Sequence, residues 1–276
     1  MRRVPPHAYF VVSAVFHYLG PSFAVLLFAR VDVLGVAWLR IAAAAAVFAV
    51  WRRPWRWLHD GTIVLWGAVL AVMNCCFYLA IDRLPLGTVA AIEFLPVIGL
   101  AALGARTPRN TAALAVAVPG VYLLTGVRLE GAALGVVLAF ANAGLFALYI
   151  VLADAVAKRP DVAGIDALAA SMLVALVVVT PLAGWAAVPA FGDPVALAAG
   201  VGVGVASSVI PYVADQLALA RLPRATYSLM VSLLPATATV IGIVVLAQIP
   251  SPAEVVGVGL VVAGVALHRA PVYELV

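Results

Sequence analysis

Charge is what this sequence has least of. Among its 276 residues 10% are charged and 66% hydrophobic, and the mean hydropathy is +1.17. A soluble globular domain carries roughly a quarter charged residues, so a soluble fold of this composition would leave much of its surface apolar. Polar sequence is also missing between the apolar runs, which excludes a soluble domain, an extramembrane enzyme or a receptor module. Cysteine is nearly absent. Cys75 and Cys76 stand side by side in the middle of an apolar run, a poor geometry for a structural disulfide or a metal site, and they read as small packing residues. No metal-ligand cluster, nucleophile–base set or nucleotide-binding loop is visible. An enzyme is therefore not expected, no cofactor is called for, and any active transport has to draw on a gradient or on a further partner. The strict alternation of barrel strands is absent too. Arg2 and Arg3 precede the first apolar run as in a signal peptide, but no small-residue cleavage site follows and further runs come at once, so it reads as a retained helix.

Long apolar runs fill the rest. A helix needs about 20 residues to cross the hydrocarbon layer, and ten such runs can be drawn, near 8–28, 33–51, 62–81, 86–104, 110–126, 131–153, 163–187, 194–219, 224–247 and 252–269. The expected fold is an all-α integral membrane protein of ten transmembrane helices, with the lipid bilayer as its first partner. With the N-terminus inside, twelve basic residues fall in cytoplasmic connectors and only Arg30, Arg83 and Arg128 outside. This is the positive-inside bias, and it puts both termini in the cytoplasm. The net charge of +4 is spread over separate short connectors and does not suggest a nucleic-acid partner. Trp51 and Arg53-Pro-Trp-Arg-Trp57 read as an interfacial aromatic belt beside anionic headgroups.

The chain repeats itself. AIDRLPLGTVAAIEFLPVIG in the first half answers ALARLPRATYSLMVSLLPATA in the second, with a basic-Leu-Pro corner and a second proline eleven or twelve residues on (Pro85 and Pro96; Pro223 and Pro235). Five spans per half is an odd number, so the halves 1–126 and 131–276 are expected to be inverted repeats, and the corners Leu84-Pro85 and Leu222-Pro223 to lie on opposite faces. Inverted repeats around a central site are how many secondary transporters alternate their access.

The most informative stretch is 62–104, two spans with Asn74 in the first and Glu93 in the second. A carboxylate inside a span is rare unless it faces a cavity or a partner. Arg40, Asn74 and Glu93 each lie seven residues from the outer edge of their spans, about 10 Å deep, so an Arg40–Glu93 pair, direct or bridged by substrate, is one expectation. A snorkelling arginine and a packed structural carboxylate are the plain alternatives. His17, one turn from Ser13 and followed by Gly20-Pro21, reads either as a hydrogen-bonded core residue or as a cavity residue able to take up a proton. Asn142, with Tyr149 seven further on, suits either a small polar solute or a helix–helix hydrogen bond. Asp215 sits about 6 Å from the cytoplasmic end, either paired with Arg221 or Arg224 or acting at an inner gate. Hydroxyls line span nine, Ser232 among them. Spans seven and ten read as peripheral or plain packing.

These segments together resemble the drug/metabolite transporter superfamily, EamA type. The resemblance is carried by WLRIAAAAAVFAVWRRPWRW and VMNCCFYLAIDRLPLGTVAAIEFLPVIGLAALGARTP in the first half, and by VIPYVADQLALARLPRATYSLMVSLLPATATVIGIVVLAQIPSPAEVVGVGLVVAG in the second. Within it, MN-x-x-FYLAI-x-R-x-PLG-x-x-x-A-x-EF is similar to the bacterial threonine/homoserine exporter subgroup. The resemblance implies a multi-pass carrier of the bacterial plasma (inner) membrane that exports small metabolites, often amino acids, with protons as coupling ion. It implies a central cavity lined by His17, Asn74, Tyr78, Glu93, Asn142, Tyr212 and Ser232. Gln248 stands where the family usually carries an acidic residue. Competing readings are the same fold carrying an amphipathic drug, a nucleobase or another metabolite, in either direction, or a membrane protein without transport.

Overall fold

The computed structural model describes residues 5–104, 107–126, 129–157, 159–219 and 233–267. Helices form where the apolar runs were drawn: α1 (Pro6–Leu27), α2 (Val33–Arg52), α3 (Gly61–Ile81), α4 (Leu86–Gly104), α5 (Pro108–Gly126), α6 (Leu129–Ala157) and α7 (Gly164–Ala187). Then follow α8 (Pro194–Gly204), α9 (Ile210–Leu219), α10 (Leu234–Leu246) and α11 (Pro252–Leu267). There is no strand among the described residues. Six of these segments are long and apolar enough to cross a membrane, and α10 and α11 are shorter apolar helices. The run near 224–247 and the corner Leu222-Pro223 lie wholly or partly outside the described residues.

The local chemistry starts and stops the helices. Asp60 caps α3 by accepting from the amides of Thr62 and Ile63, and Asp193 caps α8 by accepting from Val195 and Ala196. Each carboxylate satisfies donors that no helical carbonyl can reach. α2 stops at Arg53, whose φ of 49° is left-handed, just before Pro54. α8 and α9 form one span through a turn of π-helix at Val205–Val209, which the sequence reading did not foresee.

Two ion pairs mark the ends of the bundle. Arg30, between α1 and α2, binds Asp193 at 3.1 Å. Arg159, between α6 and α7, binds Asp60 and also Asp161, the latter at 2.7 Å. α2 runs from one of these ends to the other. At the Asp60 end Arg52 also binds Asp166 at 2.7 Å, and the guanidinium of Arg56 lies 4.7 Å from the centre of the Trp57 ring.

The hydrogen bond from Arg159 holds the Asp60 carboxyl below the usual carboxylate range. Its contribution to stability is therefore complete above that range and fades as pH falls through the lowered value. Melting in detergent should accordingly drop on acidification below about pH 4. Asp60→Asn should melt lower at neutral pH and lack that part of the acid-dependent drop.

Packing relies on small residues, as expected where lipid offers no hydrophobic drive between helices. α5 and α11 meet backbone to backbone: a Cβ on Gly120 would fall 2.7 Å from the Gly257 carbonyl, and one on Gly257 2.9 Å from the Gly120 carbonyl. Large apolar side chains such as Val137, Val177, Leu182 and Val244 face outward, which suits a hydrocarbon surrounding. α7, expected to be peripheral, packs one face on α2 and α3, where its Ala167–Met172 stretch is buried, and turns Val177 and Leu182 outward. Small side chains let that face lie close, and the one charge on the helix, Asp166 in its first turn, is paired with Arg52.

Candidate functional site

Proline makes the first part of the site. In an α-helix the Ser207 carbonyl would bond to the amide of residue 211, but that residue is Pro211, which has none. The chain passes this point as the π-turn, and the Ser207 carbonyl accepts instead from Arg40 Nη2 at 3.2 Å. Ser208 Oγ accepts from Arg40 Nε at 3.0 Å. The guanidinium also lies 5.4 Å from the centre of the Tyr78 ring. Arg40 thus joins α2 to the π-turn and α3 and is 6% exposed. The snorkelling alternative fails, because the side chain turns into the protein.

α1 closes this part from the other side. Pro21 likewise removes the amide that would bond to the His17 carbonyl. A Cβ at Gly20 would fall 2.8 Å from the Ser207 nitrogen, so α1 and the π-turn touch through their backbones. The His17 ring meets Tyr18 at 5.8 Å and Tyr212 at 6.1 Å.

Glu93 on α4 is the second pole. Its Oε1 accepts from Asn142 Nδ2 of α6 at 3.0 Å. Of the two sequence readings for Asn142, the helix–helix bond is thus made, and it ends on the carboxylate. Arg40 and Glu93 form no ion pair within 4.0 Å, yet both lie within electrostatic range of each other and of Tyr212. The direct Arg40–Glu93 pair is therefore corrected: each charge has other partners, because the π-turn draws the guanidinium to α8.

Polar groups in this region are incompletely satisfied. Tyr78 Oη, Ser207 Oγ and Asn142 Oδ1 are buried without a hydrogen-bond partner among the described residues. The Tyr78 hydroxyl approaches Arg40 and Ser207 without completing a bond to either. Buried polar groups are almost always paired, and here three orphans stand beside two charges, with hydrogen-bonding capacity left over.

The remaining candidates divide. Asn74 is buried but donates to the Leu70 carbonyl of its own helix at 2.8 Å, and it bonds to neither Arg40 nor Glu93. Asp215 lies within electrostatic range of Tyr212; its expected partners Arg221 and Arg224, like Ser232, fall outside the described residues. Gln248 is remote from the site and caps α4, its Oε1 accepting from the Leu86 amide at 3.1 Å. Sequence reasoning passed over Ser207 and Ser208 as site residues and Tyr18 altogether. The signal for the serines was present: a proline four residues after Ser207 frees exactly one carbonyl. Among the described residues no group of three or more His, Cys, Asp or Glu lies close enough to hold a metal.

A row of rings runs on from Glu93. Phe94 meets Phe146 at 6.2 Å, Phe146 stacks on Tyr149 at 6.1 Å, and Tyr149 meets Trp66 at 5.4 Å. The indole nitrogen of Trp66 is buried without a partner among the described residues.

The chain as a whole is similar to known proteins. The EamA-like transporter family matches residues 133–269. The threonine/homoserine exporter RhtA of Escherichia coli K12 is 28% identical over 255 residues, covering 88% of this chain and 84% of that protein. RhtA of Salmonella typhimurium LT2 is 30% identical over 240 residues, covering 83% and 79%. A solved crystal structure superposes with a TM-score of 0.57 over 95% of this chain and 97% of that one at 16% identity, a likeness of fold alone. A relative 30% identical over most of both chains, with the family signature across the second half, makes this chain a member of the EamA-like transporter family.

Proposed function

We propose that this protein is a secondary exporter of small neutral amino acids, of the threonine and homoserine kind, which it exchanges against protons across the bacterial inner membrane. The observation that carries the reading is the Glu93–Asn142 hydrogen bond, a carboxylate held by an amide between two helices of an otherwise apolar bundle. A carboxylate so placed is a binding pole for an ammonium group. The exporters named above add the cargo class.

Alternating access follows if the chain is two inverted five-helix repeats, 1–126 and 131–276. The two ion pairs at the bundle ends support this arrangement. Arg30-Val-Asp-Val-Leu-Gly35 and Arg159-Pro-Asp-Val-Ala-Gly164 are the same motif. Each arginine binds the aspartate that caps a helix in the other half, Asp193 in one case and Asp60 in the other, and the two contacts lie at opposite ends of the bundle. An inverted duplication produces this pattern. The arginines at the Asp60 end, Arg52, Arg53 and Arg56 among them, make that end cytoplasmic.

The test is counterflow in proteoliposomes. Labelled threonine or homoserine should accumulate against unlabelled cargo, saturably, and an imposed pH gradient should drive it. No carriage of any neutral amino acid at millimolar concentration would overturn the cargo. Flux without saturation or counterflow would indicate a channel. The ring row Phe94, Phe146, Tyr149 and Trp66 favours a second reading, an amphipathic aromatic cation. Carriage of such cations in place of threonine would establish that reading.

A further inference from the structure

Arg40 is the buried group whose surroundings leave most unexplained. A guanidinium stays charged in any protein and offers five donors in a fixed fork. Two of them are used, by Ser208 Oγ and the Ser207 carbonyl, and the other three make no hydrogen bond among the described residues. Among the described residues no carboxylate lies within 4.0 Å, although the residue is 6% exposed. Burying a cation without a counter-ion is costly, and here the chain spends a π-turn and a proline on holding it in place.

The Tyr78 hydroxyl lies beside this guanidinium and beside the Ser207 hydroxyl, and neither hydroxyl has a hydrogen-bond partner among the described residues. Both can donate. A cation with spare donors and two spare hydroxyls is complementary to a planar anion with two oxygens and several lone pairs. The Nε edge is occupied by Ser208, which leaves the two terminal nitrogens to present the fork. Glu93 does not fill this role, because it stands beyond ion-pair distance and its Oε1 is drawn to Asn142 on α6.

We propose that Arg40, held by Ser207 and Ser208, is the receptor for the carboxylate of the cargo, with the Tyr78 and Ser207 hydroxyls completing the site. This rests on the reading of the protein as an amino-acid carrier and makes a free carboxylate the obligatory part of the cargo. Arg40 and Ser208 then have separable roles. Arg40 touches the cargo, and Ser208 positions Arg40.

Binding of threonine and of threoninol, which replaces the carboxylate by a hydroxymethyl group, to the purified full chain in detergent tests this. Wild type should bind threonine at least about tenfold more tightly than threoninol, the value of one charge-assisted contact. Arg40→Gln should lose about ten- to hundredfold in threonine affinity and with it the preference. Arg40→Lys should keep a weakened preference, since it retains charge without the fork. Ser208→Ala should weaken threonine binding less than Arg40→Gln does and leave threoninol unchanged. If Arg40→Gln does not fold, as judged by melting and by a single symmetric elution peak, the wild-type ligand pair and Arg40→Lys decide alone. Equal binding of threonine and threoninol by wild type, or an undiminished preference in Arg40→Gln or Arg40→Lys, would overturn the proposal. Failure of wild type to bind either compound would instead overturn the amino-acid reading on which it rests.

Discussion

Glu93→Gln is expected to insert and fold like wild type and to lose cargo binding by about ten- to hundredfold, the value of a hydrogen bond to a charged group. The substitution keeps the shape and keeps an oxygen for Asn142 Nδ2, which now sits 3.0 Å from Oε1. Stability should therefore change little, while the charge that faces an ammonium group disappears. Two roles for the carboxylate make different predictions. If Glu93 carries the exchanged proton, the variant loses pH-driven accumulation but retains cargo–cargo counterflow. If it is a fixed pole for the ammonium group, binding and counterflow fall together. The second outcome is the one expected, because Glu93 is held in a hydrogen bond to an amide and Asn142 keeps its own oxygen unpartnered beside it, a pair suited to receiving N–H donors. Counterflow and binding measured at two pH values separate the roles. Wild-type behaviour in both assays would make Glu93 a packed structural carboxylate.

Gly20→Ala is expected to lower both stability and transport, because its added methyl group meets the π-turn. The added Cβ would lie 2.8 Å from the Ser207 nitrogen and 2.9 Å from its Cα. These are backbone atoms of the π-turn and cannot rotate out of the way as a side-chain tip could. Either α1 moves or the π-turn does, and the π-turn holds Arg40. Overpacking of this kind costs about 1–3 kcal/mol, outweighing the roughly 1 kcal/mol by which alanine is favoured over glycine in a helix. Melting in detergent should fall by several degrees, roughly 2–4 °C for each kcal/mol in a chain of this size, and transport should fall with it. Gly202→Ala is the control. It lies on α8 just before the π-turn, a Cβ there meets nothing within 4 Å, and the melting temperature should stay or rise. Equal behaviour of the two variants would mean that the α1–π-turn contact is not what positions the site.

The sequence by itself determined the membrane class and the approximate extent of most of the described helices, and it singled out Arg40 and Glu93 as charges inside apolar runs. The bilayer imposes a length on each apolar run, and it makes Arg40 and Glu93 conspicuous wherever they end up. It also carried the duplicated Arg-x-Asp-Val-x-Gly motif, which a comparison of the proline corners alone passes over. Only the tertiary structure decided who meets whom. Arg40, Asn74 and Glu93 share a depth along their helices, but depth fixes one coordinate of three, and the rotation and neighbours of each helix fix the others. Thus Arg40 goes to Ser207 and Ser208, Glu93 to Asn142, and Asn74 back onto its own helix. α7, bland in sequence, is packed against α2 and α3 because small residues permit close approach from any direction and encode no partner. The π-turn stands between the two levels: Pro211 announces that one carbonyl will be free, and only the packing of α2 against α8 supplies the arginine that takes it.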